Sequence, residues 1–376
     1  MMKSTERIRL LDILRGFAVL GTLGTNIWIF AHLGNLSYIT TIDYSGWWQP
    51  EDLVRMIVLF LVNGKLLGLL TIMFGVGMEL KYQQALRRGR AWTKVYIGTA
   101  VFIFIEGFIH YTLVMEYDIL MSYGITAMVV MFLINRDNRF IKRVLIVIGS
   151  IHTVVILFLL GASLFANVTL GSFEEVVALY QGGTWFEQVQ YRLMHFLPLR
   201  MEAILIIPMN IFLFLLGVLL MRSGVFAPDD NGKQQRKKLF TLGICVGLPL
   251  NMLIFIPGGA LDIAVRYLFA PILSIGYIAV VSIVVEYGKC KWLWRCFELV
   301  GRMSLSCYVM QNVISSILFY GWGLALGGRV DSLSIILIWF LISLVQIAFA
   351  YVWLRLFKAG PLESIRLHTV RILMSK

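Results

Sequence analysis

The sequence predicts an all-α fold, namely a polytopic membrane helix bundle of about ten transmembrane helices with both termini in the cytoplasm. Of the 376 residues, 59% are hydrophobic and only 14% are charged, and the mean hydropathy is +0.82. A chain this apolar cannot cover a soluble globule with polar surface. Apolar runs of membrane length recur along the chain, and basic residues cluster in alternate segments between them. We therefore predict one integral membrane domain over residues 1–376.

The apolar runs predict the helices in order, because a helix that spans a bilayer needs about 20 mostly apolar residues. The fourth run is short for a full span, so its ends are the hardest to place. No soluble domain interrupts the series, since the longest loop covers only residues 168–200. The ten runs lie at residues 8–33, 53–78, 95–115, 119–134, 144–167, 201–221, 239–257, 263–286, 297–326 and 333–357.

Positive charges predict the orientation, because Lys and Arg beside membrane helices are retained in the cytoplasm. Most of the 33 basic residues fall in alternate segments that would share one side of the membrane, whereas the opposite loops hold only Arg192, Arg200 and Arg329. An even number of spans with both ends inside fits this distribution. We expect a multi-pass protein of the cell membrane, a bacterial plasma membrane, with a cytoplasmic tail at residues 358–376.

The net charge of +12 does not indicate a nucleic-acid partner. Basic loops beside helix ends report topology and attraction to anionic membrane lipids. Arg87, Arg88 and Arg90 would also suit the phosphates of a nucleotide-like cytosolic donor, and both interpretations stay open. The four cysteines predict no disulfide, because two lie within spans and two flank a cytoplasmic loop. No metal site is predicted.

The outer loop at residues 168–200 has a helical pattern of its own. Apolar residues repeat at helical spacing on both sides of the pair Gly182 and Gly183, with Glu174 and Glu175 opposite the first set. This pattern predicts two short amphipathic helices that lie at the membrane interface. They would form either a lid over a cavity in the bundle or a belt rich in aromatic residues.

Polar residues near the cytoplasmic ends of two runs indicate an anion site. Asp12 and Arg15 are three residues apart, so they can pair on one helix face. Ionisable groups inside a membrane span are costly and are functional candidates by default. Arg302 would lie at a similar depth in the ninth run, and two buried Arg side chains favour a carboxylate such as Asp12 or a bound phosphate. A purely structural pair at the helix end is the alternative.

A second polar group is expected at the outer level of the bundle. Asn26 and His32 lie toward the outer end of the first run, and Asp118 follows His110 across the turn after the third run. Glu106 precedes His110 by four residues and shares its helix face. A His beside a carboxylate is the arrangement that general base catalysis uses. Hydrogen bonds that simply hold helices together are the competing explanation.

Several motifs resemble the YeiB family of uncharacterised bacterial membrane proteins, also described as domain of unknown function 418. The resemblance covers nearly the whole chain in the same order, which makes the assignment specific although no single motif is. The motifs are the segment 11–21 (LDILRGFAVLG) leading to Asn26, Gly64-Lys65, residues 74–77 (FGVG), His110 with Asp118-Ile119-Leu120, residues 247–251 (GLPLN), 301–305 (GRMSL) and 360–363 (GPLE).

The family in turn looks like a distant relative of the transmembrane acyltransferases, including heparan-α-glucosaminide acetyltransferase and the bacterial polysaccharide O-acetylases. These enzymes share an Arg on the first helix and a polar residue eleven positions later, matched here by Arg15 and Asn26. The resemblance implies transfer of an acyl group from cytosolic acyl-CoA to a small-molecule or glycan acceptor outside.

The resemblance also implies roles for individual residues. The candidate catalytic residues are His110, Asn26, His32 and Asp118, and the candidate acyl-CoA-binding residues are Arg15, Asp12, Arg302 and Arg88. The O-acetylases carry His at the position of Asn26, and an amide cannot act as a general base near neutral pH. His32 is the nearest substitute, while Asn26 could donate a hydrogen bond to an acyl carbonyl.

A secondary transporter is the alternative from a different class. Ten helices can divide into two halves of five. Because five is an odd number, the second half then inserts in inverted orientation, as in many transporters. Gly21 and Gly24 in the first run and Pro208 in the sixth are expected to interrupt corresponding helices around a central binding site. A structural or regulatory protein is the third option, and a homodimer is also considered.

Overall fold

The computed structural model describes residues 8–42, 49–165 and 172–375, and within these ranges it contains helices and turns but no strand. Eight helical segments are long and apolar enough to cross a membrane, and two further apolar helices, Leu120–Leu133 and Ser304–Phe319, are shorter. The predicted all-α helix bundle is therefore confirmed, with ten apolar segments of which two fall short of full membrane length.

The described residues in the first half of the chain form nine helices. They are α1 Arg9–Ala31, α2 Pro50–Val62, α3 Lys65–Arg87, α4 Trp92–Leu113, α5 Leu120–Leu133, α6 Asn138–Phe165, α7 Glu174–Gly182, α8 Trp185–Met194 and the single turn α9 Phe196–Leu199. A 3₁₀ turn, Leu36–Ile39, follows α1.

The second half forms nine more, with wider π-helical turns within two of the membrane segments. The helices are α10 Ala203–Arg222, α11 Asp230–Phe240, α12 Leu248–Asn251, α13 Asp262–Ala264, α14 Ala270–Glu286, α15 Lys291–Arg302, α16 Ser304–Phe319, α17 Ser332–Leu356 and α18 Pro361–Ser375. The π-helical segments are Thr241–Gly247 and Val265–Phe269.

Two runs that the sequence predicts as continuous helices are broken. The second divides at Gly64, whose φ of +74° is left-handed and stops α2 before α3 begins. The ninth divides at Met303, between α15 and α16, and ends at Phe319 instead of residue 326 because Tyr320 has extended backbone. The last two residues of the fifth run, 166–167, lie outside the described residues.

Two helices that were expected to be interrupted run without a break. The first, α1, continues through Gly21 and Gly24, and the sixth membrane segment contains Pro208 inside α10. The predicted paired interruption at these positions is therefore wrong. The chain breaks instead at Gly64 and Met303, where adjoining helices can turn toward a cavity.

Helix α1 lies at the centre of the bundle, where it packs closely against α15 as well as against α3 and α16. The approach is closest at two glycines. A β-carbon on Gly301 would overlap the Asp12 carbonyl oxygen and lie 2.7 Å from the Asp12 carbonyl carbon, and one on Gly16 would lie 2.9 Å from the Gly301 amide nitrogen. Glycine is thus required on both helices, and the contact holds Arg15 and Arg302 at the same end of the bundle.

The outer loop forms the two short helices that its pattern predicts, α7 and α8, although residues 168–171 of the predicted loop lie outside the described residues. Thr184 and Glu187 make a capping box at the start of α8. Tyr180 of α7 is fully buried, and its carbonyl oxygen accepts a hydrogen bond from the Gly321 amide at 2.8 Å. The pair is therefore docked on the bundle.

Candidate functional site

A chain of hydrogen bonds joins α1, α16, α4 and the start of α5 in the interior of the bundle. The Asn26 amide nitrogen donates to Asn312 Oδ1 at 3.3 Å, and Asn312 Nδ2 lies 3.3 Å from His110 Nε2. His110 Nδ1 lies 2.9 Å from Asp118 Oδ1. His110, Asn312 and Asp118 are all buried. Three of the four predicted catalytic residues thus come together, with Asn312 as the connecting residue.

The partners assign the ring protons of His110. An ionised Asp118 can only accept, so His110 Nδ1 must donate to it. In the neutral ring Nε2 is then the acceptor, and it receives the Asn312 amide proton. This is the orientation that a general base requires, because a carboxylate holds the ring and leaves Nε2 unprotonated.

Asp118 is itself held rigidly. Its Oδ2 accepts hydrogen bonds from the backbone amides of Leu120 at 2.8 Å and Met121 at 3.4 Å, which caps the first turn of α5. The Tyr308 hydroxyl donates to Asp118 Oδ1 at 3.3 Å. The carboxylate therefore has three hydrogen-bond donors in addition to His110, so its position does not depend on the imidazole alone.

A small cavity of about 70 Å³ opens beside this chain. Asn26, Asp118 and Tyr308 line it, together with Arg200, whose guanidinium donates to the Asp118 carbonyl oxygen at 2.7 Å. His110 lies behind these side chains. One water needs about 10–15 Å³ of cavity volume. The cavity therefore has room for a few waters or a small polar group.

A larger and strongly basic cavity of about 310 Å³ lies at the other end of the same helices. Among the described residues, four cations and one carboxylate, that of Glu363, line it. Glu363 is committed to capping α16, since it accepts hydrogen bonds from the Leu305 amide at 2.8 Å and the Ser306 hydroxyl. Such an excess of positive charge suits an anionic ligand. The four cations are Arg15, Lys81, Arg302 and Arg366.

The predicted cofactor-binding residues all lie at this basic end. Arg15 is paired with the buried Asp12 at 3.6 Å. The buried Nε of Arg302 has no hydrogen-bond partner among the residues that the structure describes. Arg88 lines a neighbouring cavity of about 160 Å³, which shares Lys81 and Arg366 with the first. The two cavities form one continuous basic region, which we call the basic cleft.

The small cavity and the basic cleft are stacked along the bundle. On α16, Leu305 lines the basic cleft and Tyr308 lines the small cavity, a separation of about 4.5 Å at 1.5 Å per residue. On α3, Leu67 lines the small cavity and Leu70 lines the basic cleft, again a step of about 4.5 Å. One layer of side chains therefore divides the two spaces.

The expectation that His32 joins His110 is wrong. His32 follows the end of α1 and stacks on Tyr38, with ring centroids 3.3 Å apart. Burial, with a smaller effect from Arg55, lowers the pKa of His32 to about 3. The chain turns sharply after Ala31, so the ring points into an aromatic cluster away from the small cavity.

The outer helices α7 and α8 are fastened beside the site by a buried ion pair. Arg192 Nε lies 3.5 Å from Glu116 Oε2 and donates to the Tyr180 hydroxyl at 3.1 Å. The Tyr180 hydroxyl donates to Glu116 Oε2 at 2.6 Å, and burial together with the Glu116 charge raises the pKa of Tyr180. Glu116 also lines the small cavity, so these helices help to close it.

Several residues of the site were not predicted as functional. Tyr308 and Asn312 are four residues apart on α16, and this spacing of polar groups on one face was the signal that could have revealed them. Lys81 was predicted only to mark topology. Arg366 lies in the expected tail, where the sequence gives no sign that α18 folds back against α4 and α16.

The fold and the site define a multi-helix membrane protein with a polar centre between two cavities. Residues 220–370 match the family model described as Protein of unknown function (DUF418). The chain is 29% identical to Uncharacterized protein YeiB of Escherichia coli (strain K12), over 95% of this chain and 94% of YeiB. It is 25% identical to Uncharacterized protein YxaH of Bacillus subtilis (strain 168), over 96% of this chain and 93% of YxaH. The family model and both relatives support the YeiB/DUF418 family for this chain.

Proposed function

We propose that this protein is a transmembrane acyltransferase, which moves an acyl group from cytosolic acyl-CoA to an acceptor on the outer side of the cell membrane. The observation that carries the proposal is the stacking of the basic cleft and the small cavity, with the Asp118–His110–Asn312–Asn26 chain beside the partition between them. In this proposal the basic end faces the cytoplasm, in agreement with the retention of positive charge there.

The basic cleft suits the phosphates of coenzyme A. Guanidinium groups bind phosphate oxygens through paired, charge-assisted hydrogen bonds. Arg302 has a buried Nε donor without a partner in the described part of the chain, and a phosphate oxygen would satisfy it. Arg15, nearly two turns inside α1 from its N-terminus, would bind a second phosphate or the thioester end of the donor.

The small cavity suits the acceptor. An acceptor hydroxyl or amine that displaces the Asn312 amide from His110 Nε2 would give its proton to that nitrogen. The freed oxygen or nitrogen then bonds to the acyl carbon, and the bond from that carbon to the coenzyme A sulfur breaks. Asn26 Nδ2 would donate a hydrogen bond to the acyl oxygen as negative charge develops on it.

A secondary transporter is the second candidate, because discontinuous helices are typical of transporter binding sites. Gly64, at the break between α2 and α3, lines the small cavity, and Gly301 and Ser304, on either side of the second break, line the basic cleft. A transporter would bind one solute from each side in turn. An acyltransferase needs the acyl donor on one side and the acceptor on the other.

Binding of acetyl-CoA to the purified protein in lipid nanodiscs tests the proposal. We expect saturable binding that weakens about 10- to 100-fold in Arg302→Ala, because a charge-assisted hydrogen bond contributes about 1.5–3 kcal/mol. Arg139→Ala is the matched control, since Arg139 is exposed at the start of α6 and lines neither cavity.

The result can also exclude the proposal. Wild-type protein that binds no acetyl-CoA, or an equal loss in Arg302→Ala and Arg139→Ala, would contradict it. Counterflow of a small solute in liposomes without any acyl donor would favour the transporter.

A further inference from the structure

Glu106 is a buried carboxyl group that neither the acyl donor nor the acceptor contacts in the proposed reaction. The residue is only 9% exposed, and its Oε2 has no hydrogen-bond partner anywhere in the described ranges. Buried carboxylates in proteins are almost always paired or hydrogen-bonded. An ionisable group that lies inside a membrane segment without a hydrogen-bond partner is a functional candidate.

The position of Glu106 on α4 lies between the two ends of the site. Ile103, three residues earlier, lines the basic cleft, and His110 follows four residues later on the same face. At 1.5 Å per residue these steps are about 4.5 Å and 6 Å along the helix. Glu106 is therefore one turn from the basic cleft and one turn from the histidine.

The ionisable groups around Glu106 come from both sides of the partition. His110 lies on its own helix, Asp118 lies at the start of α5, and Tyr308 lies on α16. Glu363 and Arg366 approach from α18, which packs against α4. Two of these neighbours belong to the basic cleft, and the other three belong to the hydrogen-bonded chain beside the small cavity.

Glu106 lacks the contacts that fix the other carboxyl groups of the site. Its Oε2 has no hydrogen-bond partner in the described residues, whereas Asp118 and Glu363 accept hydrogen bonds from fixed donors. A carboxyl group at this position can therefore take up and release one proton between the histidine and the basic cleft.

We infer that Glu106 carries protons between His110 and the basic cleft during acyl transfer. The inference rests on the proposed function, in which His110 takes the proton of the acceptor on the small-cavity side of the acyl group and the coenzyme A sulfur leaves the same acyl carbon on the basic-cleft side. Glu106 gives its proton to the thiolate sulfur as the sulfur–carbon bond breaks. The proton that His110 took from the acceptor then returns to Glu106, so each turnover makes one ester or amide and one thiol and restores both residues.

Substitution of Glu106 by Gln tests the inference with acetyl-CoA and glycerol as probes, and release of the coenzyme A thiol as the readout. Gln keeps the shape of Glu but cannot carry a proton. We expect Glu106→Gln to bind acetyl-CoA as the wild type does and to release thiol about 100-fold more slowly, since positioned proton transfer contributes about 10²- to 10⁴-fold. A small weak acid such as formate should restore part of the rate, and Glu106→Asp should retain the pH dependence of the wild type.

Two outcomes overturn the inference. A rate of thiol release in Glu106→Gln within about twofold of the wild-type rate contradicts a proton carrier. A slow rate that formate does not raise also contradicts it, because loss of a purely structural role would slow the reaction in the same way.

Infrared spectroscopy separates failure of this inference from failure of the proposed function. We expect the wild type at neutral pH to show the carbonyl band of a protonated carboxyl group. The band should be absent in Glu106→Gln. It should remain in the control Glu298→Gln, which replaces a carboxylate that is paired with Arg9. A protein with this band but no acetyl-CoA binding would refute acyl transfer, and with it the carrier's role in that reaction, while still showing that Glu106 holds a proton. Absence of the band from the wild type would refute the carrier.

Discussion

Replacement of Gly301 by Ala tests whether the contact between α1 and α15 holds the basic cleft in shape. The new β-carbon would lie 2.7 Å from the Asp12 carbonyl carbon, whereas ordinary contact begins at 3.4 Å. The helices must therefore separate by at least the 0.7 Å difference between these distances. The neighbouring atoms belong to the backbone of α1, so no side-chain rotation can relieve the overlap.

We expect Gly301→Ala to lower the free energy of unfolding by about 1–3 kcal/mol, the range for overpacked interiors. Arg15 and Arg302 flank this contact, so acetyl-CoA binding should weaken in the same variant. The assays are thermal unfolding in detergent, followed by tryptophan fluorescence, and acetyl-CoA binding in nanodiscs.

Gly161→Ala is the matched control for this prediction. Gly161 lies within α6, and a β-carbon there would have nothing within 4 Å. Because Ala favours helix over Gly, this variant should be as stable as the wild type or slightly more stable. Equal unfolding temperatures for Gly301→Ala and Gly161→Ala would refute the close contact on which the geometry of the basic cleft depends.

Three further predictions concern the outer end of the bundle. Arg192→Met should lower the free energy of unfolding by about 3–5 kcal/mol, because it leaves the buried Glu116 carboxylate without its charged partner; an unfolding temperature equal to that of the wild type would contradict this. Thr184→Ala should cost about 1 kcal/mol at the start of α8, seen as faster hydrogen exchange of its first amides, and unchanged exchange would count against the cap. Since the pKa of His32 is lowered from 6.5 to about 3, the unfolded state binds more protons between these values, so His32 should contribute to a loss of stability as the pH falls through that window. His32→Gln should make this loss smaller, measured by unfolding at pH 7 and pH 4, and an identical pH dependence would disprove the assignment.

The helical architecture was predictable because it depends on composition and periodicity. Each predicted apolar run corresponds to helical structure, since a long apolar run in a membrane must satisfy its backbone hydrogen bonds internally. The breaks at Gly64 and Met303 were not predicted. Pro208 and the glycines of α1 looked more disruptive, but neighbouring helices support α1 and α10 through those positions.

The candidate site was predictable only in part. His110 and Asp118 were paired correctly because a short turn brings the end of α4 to the start of α5. Asn312 lies 202 residues after His110, and no local pattern indicates which residue His110 meets there. His32 was misplaced because the sequence does not reveal the turn after Ala31, which directs the ring toward Tyr38.

A cryo-electron microscopy map of the protein with a non-hydrolysable acetyl-CoA analogue tests the central claim most directly. We expect phosphate density against Arg15 and Arg302 in the basic cleft, with the acetyl group directed through the partition toward His110 and Asn26. A cleft that stays empty at saturating analogue would contradict it. Density for the acetyl group directed away from His110 would contradict it equally.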